Sequence, residues 1–172
     1  MKVTRLLYWI PPVVWMGIIF ISSSTPYEEQ DLRPLISDKL DLSVLEPFLS
    51  PIRFTYNHSE VSVAAQGIAG FIEFFIRKGA HVGVFLVLSL LFYYSASHTI
   101  KTSMRWKIII SWGLAVLYAA IDEIHQGFTP NRTPFAGDVV LDTVGITLAM
   151  IGIWMWTRRR AMSKTTVAEN QN

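Results

Sequence analysis

The sequence predicts an all-α, polytopic membrane protein: a four-helix transmembrane bundle with a long external segment between helices 1 and 2. Hydrophobic residues make up 51% of the 172 residues, and charged residues only 16%. Four apolar segments lack Lys and Arg, as bilayer spans should. Lipid offers an open backbone no hydrogen-bond partners, and alternating strand patterns are not seen, so helices are favoured over a β-barrel. We therefore treat residues 1–172 as one membrane domain, with spans predicted at 6–24, 79–97, 108–127 and 139–156.

The first span, 6–24, follows Lys2 and Arg5 and ends in three serines. A basic start before an apolar run is also typical of a secretory signal peptide. The apolar stretch is long for a signal core, and Pro11 and Pro12 interrupt it. We therefore expect the first helix to be retained.

The external segment, 25–76, contains most of the acids. Prolines divide its first half into short pieces that can hold only brief amphipathic turns. Its second half, 63–76, carries only Glu73 as a charge and ends in large apolar residues. Two placements of this half stay open: a helix on or dipping into the outer leaflet, or a lid packed against the bundle.

The second span, 79–97, begins beside Lys78 and His81, which lie three residues apart on one helix face. Arg77 immediately precedes them and is expected to serve the membrane interface. These polar groups are predicted at the same side of the membrane as the serines that end the first span.

The third apolar run, 108–121, has only 14 residues, whereas a hydrocarbon core of about 30 Å requires about 20 at 1.5 Å per residue. The helix should therefore continue to about residue 127. This extension places Asp122 and Glu123 inside the membrane. Helical spacing puts Asp122 on one face with residues 125 and 126, and turns Glu123 away by about 100°.

The fourth span, 139–156, begins beside Asp138, and Asp142 follows one turn deeper. Asp138 also fits a helix N-cap. Polar residues from four helix ends thus reach one membrane face and can form one pocket. Carboxylates in hydrocarbon need cations, protons or water, so Lys78, Arg132 and the histidines are the expected partners.

Charge placement predicts the orientation. Nine of the fifteen basic residues flank one side of the spans, where Glu169 is the only acid. The positive-inside tendency then places both termini and the tail 158–172 in the cytoplasm and the polar site on the outer face of the plasma membrane. The net charge of +2 reflects this division and gives no support for a nucleic-acid partner. The chain has no cysteine, which excludes disulfides and sulfur-ligated zinc.

The candidate site residues divide into two groups. Candidate acids and bases are His81, Asp122, Glu123 and His125. Candidate substrate-binding residues are Ser23, Lys78, Gln126, Arg132, Asp138 and Asp142. Carboxylates and imidazoles also suit a divalent metal, but their spacing matches no standard metal motif, so cofactors stay unknown.

These residues resemble the VanZ-like family. The resemblance rests on Ser22-Ser23, Lys78-x-x-His81, Asp122-Glu123-x-His125-Gln126, Pro130-x-Arg132 and Asp138-x-x-x-Asp142-x-x-Gly145. It covers the end of the first helix and nearly everything from 78 to 145. It implies a small polytopic protein of the bacterial cell envelope, in a family named for a glycopeptide-resistance cluster member linked to low-level teicoplanin resistance. The resemblance implies no settled reaction.

Two functions of different kinds remain open. In the first, the outward-facing pocket binds, and in an enzymatic version modifies, an envelope lipid, a lipid-linked wall precursor or an amphiphilic glycopeptide. In the second, the chain is a non-enzymatic membrane adaptor, and the polar cluster is an ion-pair network. A proton-linked transporter is a weaker third hypothesis, because four helices are few for transport unless the chain forms a homo-oligomer.

Overall fold

A computed structural model describes residues 3–39, 41–130 and 132–169. Its elements, in chain order, are seven α-helices with a two-stranded hairpin between the fourth and fifth. They are α1 (Val3–Leu7), α2 (Ile10–Ser24), α3 (Arg33–Lys39), α4 (Glu46–Leu49), β1 (Arg53–Tyr56), β2 (Ser59–Ser62), α5 (Val63–Thr99), α6 (Met104–Gln126) and α7 (Ala136–Glu169). A 3₁₀ turn (Tyr27–Gln30) follows α2.

The prediction of an all-α multi-pass membrane protein is confirmed. Among the described residues, four helices are long and apolar enough to cross a bilayer: Arg5–Ser24, Val63–Thr99, Met104–Gln126 and Ala136–Arg160. The third of these ends at Gln126, as the length of its apolar run predicts.

Helix α2 begins where its sequence allows. Pro11 and Pro12 lie in its first turn, where backbone N–H groups have no helical acceptor to lose. At its other end Ser24 Oγ donates back to the carbonyl oxygen of Phe20 at 2.8 Å. The helix therefore ends with polar groups at the membrane face where the candidate site lies.

Helix α5 is much longer than the predicted span. Its 37 residues are bent at Gly67, and the part from 68 to 99 alone extends about 48 Å at 1.5 Å per residue, well beyond a core of about 30 Å. Ser62 caps its start by accepting a hydrogen bond from Ala65 N at 3.1 Å, and Gly67 interrupts it with a left-handed φ of 70°. Segment 63–76 is thus the first part of α5. The charges at 77 and 78 do not end the helix, because both side chains are paired.

The external segment also contains structure that the sequence analysis did not predict. Strands β1 and β2 pair antiparallel, with Arg53 opposite Ser62. The turn between them places Asn57 and His58 at positive φ (46° and 61°), the combination that matches a two-residue hairpin turn to the strand twist. Val61 and Phe71 bury the hairpin against the start of α5.

The core of the bundle lies between α5 and its neighbours. Phe85, Leu88 and Phe92 of α5 pack against the small side chains Ala115 and Ala119 of α6. Ile146 of α7 and Ile19 of α2 close the same cluster. Helix α7 continues past the predicted end at 156 to Glu169, so the described part of the predicted tail is helical.

Candidate functional site

The candidate site lies where α2 and α6 end, where α7 begins, and where α5 passes between the hairpin and the bundle. Asp122 is at its centre, with 3% of its surface exposed. Ser23 Oγ and Gln126 Nε2 each donate to Asp122 Oδ2 at 2.9 Å. Asp122 Oδ1 has no hydrogen-bond partner among the described residues. Three candidate residues, Ser23, Asp122 and Gln126, are therefore in direct contact.

Arg132 joins this group through neutral partners. Its Nη1 donates to Gln126 Oε1 at 3.0 Å, and its Nη2 donates to Gln30 Oε1 at 2.9 Å. In the described part of the chain, no carboxylate forms an ion pair with Arg132; Asp122 is reached only through Gln126. Burial lowers the pKa of Arg132, and the charge of Arg77 adds to this effect, but a guanidinium remains protonated in water-accessible sites. A half-buried positive charge thus lies at the site without a direct counterion.

A second group joins the hairpin to the bundle. Lys78 Nζ lies 2.5 Å from Asp138 Oδ1, and the Tyr56 hydroxyl donates to the same oxygen. Lys78 Nζ also lies 4.7 Å from the centre of the Tyr56 ring. Burial, followed by the hydrogen bond to Asp138, raises the pKa of Tyr56, so its hydroxyl stays a donor at physiological pH. Asp138 lies in the first turn of α7, which begins at Ala136, so it is an ion-pair partner and not the N-cap that the sequence also allowed.

Glu73 forms a third group, which the sequence analysis did not assign to the site. The residue is 1% exposed. Arg77 Nη2 lies 2.8 Å from Glu73 Oε1, and Arg33 Nε lies 3.7 Å from Glu73 Oε2. The backbone N–H of Leu32 donates to Oε1 at 3.1 Å. This carboxylate therefore attaches the segment before α3 to α5.

Three other predicted residues lie beside these groups and make contacts of their own. Glu123 accepts from the backbone N–H of Phe135 at 2.5 Å, so it orders the turn between α6 and α7. His125 stacks on Phe20 with ring centres 4.1 Å apart, and its Nε2 lies 3.5 Å from Ser24 Oγ, so the ring contacts the end of α2. Asp142 is 3% exposed, and its Oδ1 has no described hydrogen-bond partner.

Two cavities adjoin the cluster and share Arg77. The first, which we call the membrane-side cavity, has a volume of about 170 Å³. Its wall is apolar, and its mouth is polar. It is lined by Trp15, Ile18, Ile19, Ala80 and Val84, and by Ser22, Ser23, Gln30, Arg77, His81 and Arg132. His81 Nδ1 has no hydrogen-bond partner among the described residues.

The second cavity, which we call the hairpin pocket, has a volume of about 510 Å³ and lies between the hairpin and α5. Tyr56 and Phe74 contribute aromatic rings, and the rest of its surface is mostly polar. Lys78 lines this pocket and not the membrane-side cavity, whereas Arg77 lines both. The expectation that Arg77 serves mainly the interface and Lys78 the pocket therefore needs revision: Arg77 is the cation that accompanies Arg132.

Arg77 and Arg132 give the membrane-side cavity two groups that can hold an anion. Within the described ranges, no three His, Asp or Glu side chains lie close enough to hold one ion together. His81 and Ser23 line the same cavity as the two arginines, so groups able to transfer protons lie beside groups able to hold negative charge.

Comparison with known proteins gives one match. A family model described as VanZ/LLP1 matches residues 8–158. No curated protein and no solved structure matches the chain.

Proposed function

Because the chain belongs to the VanZ/LLP1 family, a family of membrane proteins, we propose that it binds an anionic amphiphile of the cell envelope in the membrane-side cavity. The observation that carries the proposal is Arg132, a half-buried cation held by two neutral amide oxygens at the mouth of an apolar-walled cavity. A cation in that position favours an anionic partner, because few waters are available to solvate it.

The dimensions support a phosphate at this mouth. A volume of about 170 Å³ equals about six water molecules at about 30 Å³ each. This is enough for a phosphate and the start of a hydrocarbon chain. Trp15 Nε1 donates to the carbonyl oxygen of Val84 at 2.9 Å, so the indole is fixed as part of the apolar wall. A larger polar head would lie in the hairpin pocket, which Arg77 also lines.

An apolar chain, an anionic junction and a large polar head are together features of a lipid-linked wall precursor. An envelope lipid shares the chain and the anionic junction, and an amphiphilic glycopeptide shares the chain and the large polar head. We include a contribution to teicoplanin-type resistance in the proposal on this ground. The distribution of basic residues supports cytoplasmic termini and an outward-facing site in the plasma membrane, where such ligands occur.

Replacing Arg132 with Gln should weaken binding of a polyprenyl phosphate by about tenfold or more, because a charge-assisted contact is lost. The measurement is photo-crosslinking in vesicles with a diazirine-bearing polyprenyl phosphate, with labelled residues mapped by mass spectrometry. Labels should fall at the cavity wall, at Ile18, Ile19 and Val84. Unlabelled teicoplanin tests the glycopeptide as a competitor.

The matched control is Arg53→Gln, which removes an exposed arginine of β1 that does not line the membrane-side cavity; it should leave labelling unchanged. Uncharged polyprenol should compete poorly. Equal labelling of Arg132→Gln and wild type, or equal competition by polyprenol, would contradict the proposal. Either result would favour the adaptor hypothesis, in which the cluster is only structural.

His81 favours an enzymatic version of the same function. Its Nδ1 has no described partner and the ring lines the cavity, so it can accept a proton from water attacking a lipid diphosphate. Arg77 and Arg132 would then stabilise the departing phosphate. Replacing His81 with Gln should reduce phosphate release from a polyprenyl diphosphate by about 100-fold while crosslinking persists.

Phosphate release from wild-type vesicles supplies the reference for that comparison. If wild-type protein releases none, the enzymatic version is wrong and binding alone remains. If His81→Gln loses binding together with turnover, His81 is a binding residue and not the base.

A further inference from the structure

A groove at the opposite end of the bundle separates the beginning of α6 from the later part of α7. It has a volume of about 550 Å³. Apolar side chains form its walls, and an arginine stands on each side. The lining residues are Arg105, Ile108 and Ile109 of α6, and Thr147, Met150, Ile151, Trp154 and Arg158 of α7. We call this surface the arginine groove.

The groove extends through one leaflet. Arg158 and Thr147 lie eleven residues apart on α7, a rise of about 16 Å, whereas half of the hydrocarbon core is about 15 Å thick. Thr147 also borders a second depression of about 260 Å³, which continues along α7 toward Val140. A chain with its head at Arg158 would therefore reach the middle of the bilayer along apolar surface.

The charges of the groove are of one sign. No acidic residue lines it, and within the described ranges neither Arg105 nor Arg158 forms an ion pair. The Arg158 guanidinium carbon lies 4.4 Å from the centre of the Trp154 ring, a cation–π contact that holds the side chain beside the groove. Basic clefts between helices at this depth bind anionic lipid head groups.

We propose that the arginine groove is a binding site for an anionic phospholipid. Its phosphate lies between Arg105 and Arg158, and one acyl chain follows Ile108 and Ile151 toward Thr147. Its head-group end is distant from the membrane-side cavity, because Arg105 lies 21 residues before Gln126 on α6, about 31 Å along the helix. The proposal does not depend on the function proposed for that cavity. It would anchor α6 to α7 at the end opposite the cluster.

Native mass spectrometry of the detergent-solubilised protein tests the proposal, with dioleoylphosphatidylglycerol and dioleoylphosphatidylcholine as probes. Wild type should retain the anionic lipid preferentially. Arg105→Gln and Arg158→Gln should each weaken its retention by about fivefold, since each arginine contributes about one charge contact. Retention of phosphatidylcholine should not change.

Arg160→Gln is the matched control. Arg160 lies two residues after Arg158, about half a turn around the same helix. Its guanidinium carbon lies 4.0 Å from the centre of the Trp156 ring, and it does not line the groove. If wild type retained both lipids equally, the proposal would be wrong, whatever the variants showed. If Arg160→Gln lost as much of the anionic lipid as the groove variants, the retention would be due to nonspecific surface charge and the proposal would be wrong. If wild type formed a dimer that Arg105→Gln lost, the occupant of the groove would be a second chain and not a lipid.

Discussion

Replacing Glu73 with Leu should lower the free energy of unfolding by about 3 kcal/mol or more. The carboxylate is buried between Arg33 and Arg77 and accepts from the backbone N–H of Leu32. Leu removes both the negative charge and the acceptor, and truncating one partner of a buried ion pair costs about 3–5 kcal/mol. Because 49% of the Arg33 side chain is exposed to solvent, we expect a destabilisation at the lower end of that range.

Thermal unfolding in detergent measures the effect, which should be a decrease of about 10 °C in melting temperature. Glu73→Gln separates the two contributions, because its amide oxygen can still accept from Leu32. Its decrease should be smaller but not zero. Glu46→Leu is the control at an exposed acid of α4 and should change stability by no more than about 0.5 kcal/mol.

A decrease in Glu73→Leu no larger than in Glu46→Leu would contradict the assigned contacts. If the melting temperature decreased equally in Glu73→Leu and Glu73→Gln, the whole effect would come from loss of the negative charge. Because Arg77 lines both cavities, Glu73 also positions a cation of the proposed binding site, so ligand labelling should decrease in the same variants.

Span length and polar spacing predicted the bundle and much of the cluster. The short apolar run at 108–121 required a longer helix, and Asp122 and Gln126 share a face because they are four residues apart. The contact between Lys78 and Asp138 also follows from the placement of opposite charges at one membrane face. These features depend on local periodicity and on membrane thickness, which a sequence displays directly.

The contacts of Glu73 and Tyr56 could not be predicted in this way. Arg33 lies forty residues before Glu73, and Tyr56 meets Asp138 across 82 positions. Their pairing depends on how the external segment folds back on α5. The one available signal was Glu73 itself, the single charge in an apolar stretch, since an isolated carboxylate in such a stretch needs a cation from elsewhere. His125 shows the opposite case, because helical spacing places it on the same face as Asp122, whereas in the structure its ring stacks on Phe20 of α2.

Glycines show the same limit of sequence reasoning. Gly83, Gly113, Gly145 and Gly152 could all serve close helix packing from their sequence alone. A side chain at three of them would meet nothing within 4 Å, whereas a Cβ at Gly145 would contact the carbonyl oxygen of Val82 and approach Val82 Cγ1 at 2.9 Å. The packed bundle is needed to identify Gly145 as the glycine that lets α5 and α7 approach closely.

Replacing Gly145 with Ala should therefore destabilise the bundle by about 3 kcal/mol. The obstructing atom is a backbone oxygen of α5, which cannot rotate away as a side chain does, so the two helices must separate. Asp138 lies seven residues before Gly145 on the same helix, about 10 Å along its axis. Separation there should also lengthen the contact between Asp138 and Lys78 and weaken the proposed ligand site.

Gly152→Ala is the matched control, because it makes the same change in the same helix at a position with open space. Alanine is better than glycine in a helix by about 1 kcal/mol, so this variant should be as stable as wild type or more so. The two substitutions should thus shift the melting temperature in opposite directions. A decrease of equal size in both would mean that glycine flexibility, and not the approach of α5 to α7, determines the stability of this helix.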